Sequence, residues 1–193
     1  MKKYFVLTAI ILMFSLLSNA QTKVWANDAS HSRLGFTIKH LTISEVDGDF
    51  TDFSVRVTTT MEDYSDAKVE LTAKVGSINT ESVSRDKHLL GADFFDEDKY
   101  PLLIFKSTSV NNIDAKNGLL SGNLTMHGIT KPVTLNVEYF GSVINPMSKK
   151  ETAGFKVTGT VKRSEFSIGT KYPGAILGDD VNIVANLEFS PDK

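Results

Sequence analysis

Cysteine is absent from the chain. Disulfide staples and thiolate zinc sites are therefore excluded. So is an acylated cysteine behind an N-terminal apolar run, because there is no thiol to modify. Charge of one sign is also lacking: 21 Lys and Arg stand against 23 Asp and Glu, and both signs are scattered. With no stripe of Lys and Arg, nothing favours a nucleic-acid partner. The longest acidic patch, Asp93 to Asp98, is broken by Phe94 and Phe95 and reads as a solvated loop or helix end. There is no internal repeat, low-complexity tract or linker, which points to one domain.

Motifs that carry chemistry are equally scarce. No G-x-S-x-G elbow is present. The histidines are His31, His40, His88 and His127, and no pair has the spacing of H-E-x-x-H. His31 and His40 flank the first long strand at an odd separation, so a regular strand turns them to opposite faces. Asp179 and Asp180 are adjacent, and a turn in which they bond local backbone accounts for them. Gly169 to Gly178 forms a loop with no helix N-terminus after it, so it is not a phosphate cradle. No metal, no cofactor and no catalytic residue is expected, and the histidines are expected to hydrogen-bond locally at strand ends and loops.

What is present begins with a secretory signal. Lys2 and Lys3 precede an apolar run from Phe5 to Leu17, and Ser18-Asn19-Ala20 offers small residues before a cut after Ala20. The run is too short for a comfortable membrane span, which needs roughly 20 apolar residues. Residues 1 to 20 are thus expected to be removed, leaving one domain over 21 to 193 in the periplasm or outside the cell. Without Lys2 and Lys3, 19 basic residues face 23 acidic ones, a formal charge of −4.

Alternation with a period of two dominates the rest. Lys68 to Val75 places Val69, Leu71, Ala73 and Val75 on one face and Lys68, Glu70, Thr72 and Lys74 on the other. The same pattern runs through Val133 to Tyr139, Phe155 to Lys162 and Val181 to Phe189. Such strands have one dry face and one wet face. Further strands are expected at Lys23 to Asn27, Ser32 to Leu41, Phe50 to Thr59, Leu102 to Val110 and Leu119 to Met126. Asn117-Gly118 predicts a tight hairpin turn, His127-Gly128 a looser connection, and Asp47-Gly48 a bulge or bend. One helix is expected from Val83 to Leu90, with Thr80, Glu81 and Ser82 as cap candidates, and a short helical turn near Met61 to Ser65. The sum is an all-β chain of about eight strands, read as a closed antiparallel barrel, with an open sandwich as the alternative. Ala73, Gly122, Gly159 and Ala185 are small residues on the dry parity, so they leave volume inside the barrel or fit its taper.

Several motifs occur together and in order. Arg85 to Thr108 contains RD-x-HL, DFFD, KYP and F-x-ST; Gly122 to Leu135 contains G-x-LT-x-HG-x-TKPV-x-L; VDGDFTDF stands at Val46 to Phe53, KRSEF at Lys162 to Phe166 and GDDV at Gly178 to Val181. In these the chain resembles the YceI-like family of envelope proteins. The resemblance implies a lipocalin-like barrel that holds a long apolar molecule such as a polyisoprenoid, a quinone tail or a similar lipid. On that reading and on strand parity, the lumen is lined by Phe36, Ile38, Leu71, Val75, Phe105, Leu124, Met126, Leu135, Val137, Val157 and Ile183. Phe95 and Phe166 stand near one end, and the helix closes an end with Leu89 inward. Arg85 and His88 are the candidates to meet a polar head group. The chain departs from the family pattern at Ser167, where relatives commonly carry a glycine after the aromatic residue. A homodimer and transient contact with a membrane are compatible with such a carrier. Two rivals stay open: a hydrolase-type or metal-dependent enzyme using histidines in the same cavity, and a packed barrel that acts through a protein-interaction surface.

Overall fold

The structure is a computed structural model that describes residues 21–112 and 114–192. The expected signal segment lies outside the described residues. The elements are β1 (Lys23–Asn27), β2 (Arg33–His40), β3 (Ser44–Phe50), β4 (Phe53–Thr59), β5 (Lys68–Lys74), β6 (Ile78–Asn79), α1 (Val83–Leu89), β7 (Leu102–Asn112), β8 (Asn117–Met126), β9 (Ile129–Ile144), β10 (Glu151–Lys162) and β11 (Leu177–Pro191). All pairings are antiparallel, and the order closes because β11 pairs with β2 and also with β1. The eleven strands of the described residues fill eight positions. β1 and β2 share one, β3 and β4 the next, β5 and β6 the third. The pairings β1–β4, β2–β3, β4–β5 and β3–β6 lay these broken strands alongside one another. The closed antiparallel barrel read from alternation is therefore the fold, and the sandwich is not.

The breaks are the main departure from the expected strands. Phe50 to Thr59 is interrupted at Thr51-Asp52. The neighbouring strand breaks beside it at Val75–Ser77, a 3-10 turn. Thr51 N donates to Ser77 O at 3.1 Å and Lys74 N to Asp52 O at 2.9 Å, so the two corners are stitched together. A corner of this kind lets a twisted sheet turn enough to close. Met61 to Ser65 is a turn, not helix. Carboxylates help to hold it: Asp66 accepts from Thr60 N, and Asp63 from Ser65 N.

Two turns exchange roles. Asn117 and Gly118 lie inside β8, paired with β9, and neither has positive φ. The loop before them is closed by Asp114, whose Oδ1 accepts from Lys116 N and Asn117 N. The tight hairpin is at His127-Gly128, with φ of 48° and 72° between the paired Met126 and Ile129. Two consecutive positive φ values are what a two-residue turn matched to strand twist requires. Nor is there a bulge at Gly48: β2 and β3 pair without a register shift. A Cβ on Gly48 would lie 2.4 Å from Phe36 Cζ, so the glycine makes room for that ring. Asp179 and Asp180 sit in β11, not in a turn. Asp179 accepts from Ser164 N and Oγ, and Asp180 pairs with Lys162.

The inner face is one apolar core. At one end it is closed by aromatic rings. Tyr64 lies edge-on to Trp25, Tyr139 and Phe155, with centroids 6.2, 5.7 and 5.3 Å apart, and Phe155 in turn meets Phe189 at 5.8 Å. Edge-to-face contacts of this kind add to the stabilisation from burial. β11 runs from the opposite end, where Leu177 pairs with His40, to this plug, where Pro191 pairs with Trp25. α1 stands near the His40 end, and that geometry sets the site.

Candidate functional site

The barrel contains a cavity of about 400 Å³. Among the described residues its lining is apolar except for Thr80, Arg85, Arg163, His40, His88 and Tyr172, and no Asp, Glu, Lys, Ser or Asn side chain contributes. None of the five plug aromatics lines it, whereas the exposed residues His40, Arg85 and His88 do. The cavity is thus a tube closed at the Trp25 end with its mouth beside α1. Its volume falls in the ordinary range for small-molecule sites.

Period-two alternation brings most of the expected wall residues to the cavity. Phe36 and Ile38 of β2, Leu71 of β5, Phe105 of β7, Leu124 and Met126 of β8, Leu135 of β9, Val157 of β10 and Ile183 of β11 all line the cavity. Arg85, His88 and Leu89 of α1 line it as well, and Phe95 follows them. Three expected residues do not. Val75 opens the 3-10 turn, where strand parity ends, and is buried outside the lining. Val137 packs against the core two residues before Tyr139 of the plug. Phe166 is fully buried in the 3-10 turn Arg163–Phe166, away from the cavity.

Of the two readings of the small residues, the glycines take the second, fitting large neighbours rather than leaving volume. A Cβ on Gly122 would sit 2.4 Å from Phe105 Cζ, and one on Gly159 would sit 2.4 Å from Leu135 Cδ2. These glycines do not border empty lumen. They let Phe105 and Leu135, both wall residues, lie against the sheet. The volume comes instead from residues such as Ala185, which does line the cavity.

At the mouth, Thr80 fixes Arg85. Arg85 Nε donates to Thr80 Oγ1 at 2.7 Å and Nη2 to Thr80 O at 2.6 Å. Thr80 N and Oγ1 both donate to Asp86 Oδ1, at 2.9 and 2.5 Å. Asp86, not the Ser82 hydroxyl, therefore satisfies the chain entering α1. Among the described residues Arg85 Nη1 has no bonding partner, so one edge of a fixed guanidinium is left for another acceptor. His88 packs edge-on to Phe94 at 5.0 Å, its Nε2 lies 3.3 Å from Tyr172 Oη, and Tyr172 stacks on Phe94 at 5.2 Å.

Sequence reasoning missed Thr80 and Tyr172 as parts of the mouth, and it missed Arg163. Arg163 is 5% exposed, and its bonds go to backbone carbonyls. Nε donates to Gly178 O (2.8 Å), Nη1 to Ile168 O (3.0 Å) and Gly169 O (2.6 Å), and Nη2 to Tyr172 O (2.8 Å) and Leu177 O (2.9 Å). All five N–H groups are used. Arg163 is the peg around which the loop 168–178 is wrapped, so it also places Tyr172 at the mouth. The only signal for it was the arginine of the KRSEF motif.

The histidines scatter. His40 and His88 reach the cavity, and His31 and His127 do not. His127 Nδ1 lies 2.9 Å from Phe166 O; since a carbonyl only accepts, Nδ1 carries the proton. His31 belongs to an exterior group with Asp28 and Glu188, whose ligand atoms lie within 4.8 Å of one another. His31 Nδ1 is 3.2 Å from Asp28, which raises the His31 pKa. Hydrogen bonds from Ser30 and His31 lower the Asp28 carboxyl to about 2. Strand parity gave no warning of this group, because Glu188 is distant in sequence.

Comparison with known proteins agrees with this geometry. The model of the YceI-like domain matches residues 25–189. The UPF0312 proteins SAB2563 and SA2479 of Staphylococcus aureus are 38% identical over 167 residues, covering 84% of this chain and 95% of each relative. The crystal structure of the Campylobacter jejuni YCEI protein superposes with a TM-score of 0.73 at 35% identity, covering 81% of this chain and 91% of that one. Burkholderia cenocepacia BcnA shares the fold with a TM-score of 0.76 at 24% identity, covering 84% and 98%. A polyisoprenoid binding domain from Saccharophagus degradans shares it with a TM-score of 0.63 at 16% identity, covering 87% and 98%.

Proposed function

The chain belongs to the YceI-like domain family, and on that premise we propose that it is a non-catalytic carrier of one long apolar molecule, a polyisoprenoid, isoprenoid quinone or similar lipid, in the cell envelope. The observation that carries this reading is the cavity: an apolar tube closed by aromatic rings at one end and open beside α1 at the other. The polyisoprenoid-binding neighbour of the same fold supports the choice of ligand class.

The mechanism is burial. Each methylene moved from water into the tube contributes ~0.8 kcal/mol, offset in part by the cost of association. Apart from the polar residues at the mouth, the wall offers only dispersion contacts, so it does not discriminate strongly among chains of similar thickness. Orientation falls to the mouth. A head group stands at Arg85, His88 and Tyr172, and the tail runs toward the plug. With two arginines and no carboxylate in the lining, the field favours an acceptor-rich or anionic head. Among the described residues no serine or carboxylate is placed with a histidine in the lining to activate a nucleophile, which supports binding over turnover. The basic start, short apolar run and Ser18-Asn19-Ala20 support export, with the mature chain beginning at Gln21 in the periplasm or outside the cell.

Organic extraction of the protein purified from its own host tests the reading. A stoichiometric apolar compound supports it. A clean extract, together with failure to take up added lipid, contradicts it.

A further inference from the structure

The mouth is ringed by large apolar side chains turned to water. Ile43 is 85% exposed and Leu41 47% on the β2–β3 turn; Val83, the first residue of α1, is 88% exposed; Ile176, just before β11, is 45% exposed. The turn and the loop are joined, since Leu41 N donates to Ile176 O at 2.9 Å. Both lead into the tube, because His40 and Ile176 line it. The turn is conformationally costly as well. Leu41 and Thr42 hold φ of 52° and 62°, a region that bulky and β-branched residues avoid. A turn chosen for folding alone would carry Asn, Asp or Gly there. Strain kept at such a place points to a use for the side chains.

α1 adds charge of one sign. Its only acid, Asp86, turns to Thr80, whereas Arg85 and Lys87 are exposed. We propose that this rim is a docking surface for a lipid bilayer with anionic head groups, through which the tube is loaded and emptied. The inference rests on the carrier reading above. A long apolar molecule resides in a membrane and has almost no free concentration in water. A rim that sinks its apolar side chains into the interface joins membrane to tube without a passage through water, and basic residues beside it strengthen the contact. The geometry favours a bilayer over a second protein. The apolar residues surround an opening, which a rigid partner would seal and a fluid interface fills.

A second exposed apolar group, Phe140, Val143, Ile144 and Met147, lies on the β9–β10 hairpin beyond the plug and serves as an internal control. Neither Ile43 nor Val83 lines the cavity, so replacing them leaves the binding wall intact. The test uses flotation of the purified protein with vesicles of equal parts phosphatidylcholine and phosphatidylglycerol, and transfer of a pyrene-labelled fatty acid from those vesicles or from detergent micelles. Wild type should float. The double variant Ile43→Asp/Val83→Asp, and more mildly Ile43→Ser/Val83→Ser, should lose flotation and transfer from vesicles by about tenfold or more. Melting temperature and uptake from micelles should stay unchanged. Flotation and vesicle transfer equal to wild type in both rim variants would overturn the proposal. So would an equal loss in Phe140→Asp/Met147→Asp, or a dimer that the rim variants dissociate, which would make a second copy the occupant. The two readings fail separately: no uptake from micelles by wild type contradicts the carrier, and absence of flotation contradicts the docking rim.

Discussion

The ring of Phe105 lies directly over Gly122, so that a Cβ at position 122 would come within 2.4 Å of Phe105 Cζ and 2.6 Å of Lys106 O. The first of those atoms belongs to the cavity wall and the second to rigid backbone. Gly122→Ala should therefore destabilise the fold by about 1–3 kcal/mol, the usual cost of overpacking. Phe105→Leu in the same chain should recover part of the loss, because the two sites share one space. Urea denaturation of the single and double variants measures both effects. A neutral Gly122→Ala would mean that the ring does not rest there.

Ser167 ends the 3-10 turn Arg163–Phe166 with φ of 58°, in the left-handed region where glycine is the usual choice. Among the described residues its side chain has no hydrogen-bond partner. Ser167→Gly should raise stability by about 1 kcal/mol, seen as a higher melting temperature. An unchanged or lower melting temperature would contradict the strain.

Arg163→Lys keeps the charge but replaces a five-donor fork by an ammonium with three donors. At least two of the five bonds to the carbonyls of Ile168, Gly169, Tyr172, Leu177 and Gly178 are then lost. The expected loss is about 2–5 kcal/mol. Amide exchange should quicken first across residues 168–178, and ligand retention should fall with it because Tyr172 is released. A lysine variant as stable as wild type would show that the loop does not depend on the fork.

The Asp28–His31 pair sets a pH window. The His31 pKa is raised in the fold, so its contribution is complete below its ordinary 6.5 and is lost as pH climbs through the folded value. The Asp28 pKa is depressed from 3.8 to about 2, so its contribution is complete above 3.8 and is lost as pH falls through about 2. The pair thus stabilises most between those limits. The melting temperature of wild type minus that of His31→Ala should be larger at about pH 5.5 than at about pH 8.5. A difference that is flat with pH would contradict the pairing. Both groups are well exposed, so the effect is small and salt-sensitive.

The parts of the site built on regular strands were legible in the sequence, because one rule, that side chains alternate, decides which residue faces in. Leu71, Leu124, Leu135 and Val157 reach the cavity for that reason. Val75 fails where the rule stops, at the corner that turns the third strand. Phe166 fails in the same way, inside a 3-10 turn. The glycines were legible as small but not as occupied: which neighbour fills the space above Gly122 or Gly159 depends on cross-strand register. The hairpin exchange between Asn117-Gly118 and His127-Gly128 shows a local preference overruled by pairing. β8 and β9 register Asn117 and Gly118 against Glu138 and Val137, and the turn falls where the ladder ends. Arg163 was hidden because its partners are backbone carbonyls, which every sequence has.

Native mass spectrometry of the protein from its own host, beside Ala185→Phe, tests the central claim most directly. Ala185 is buried and lines the tube, so a phenyl ring there fills the space a chain would occupy. The account predicts that wild type carries one apolar molecule per chain, released by organic solvent, and that the folded Ala185→Phe variant carries little or none. Bare wild-type protein that also refuses added lipid, or equal loading of the two proteins, would contradict it.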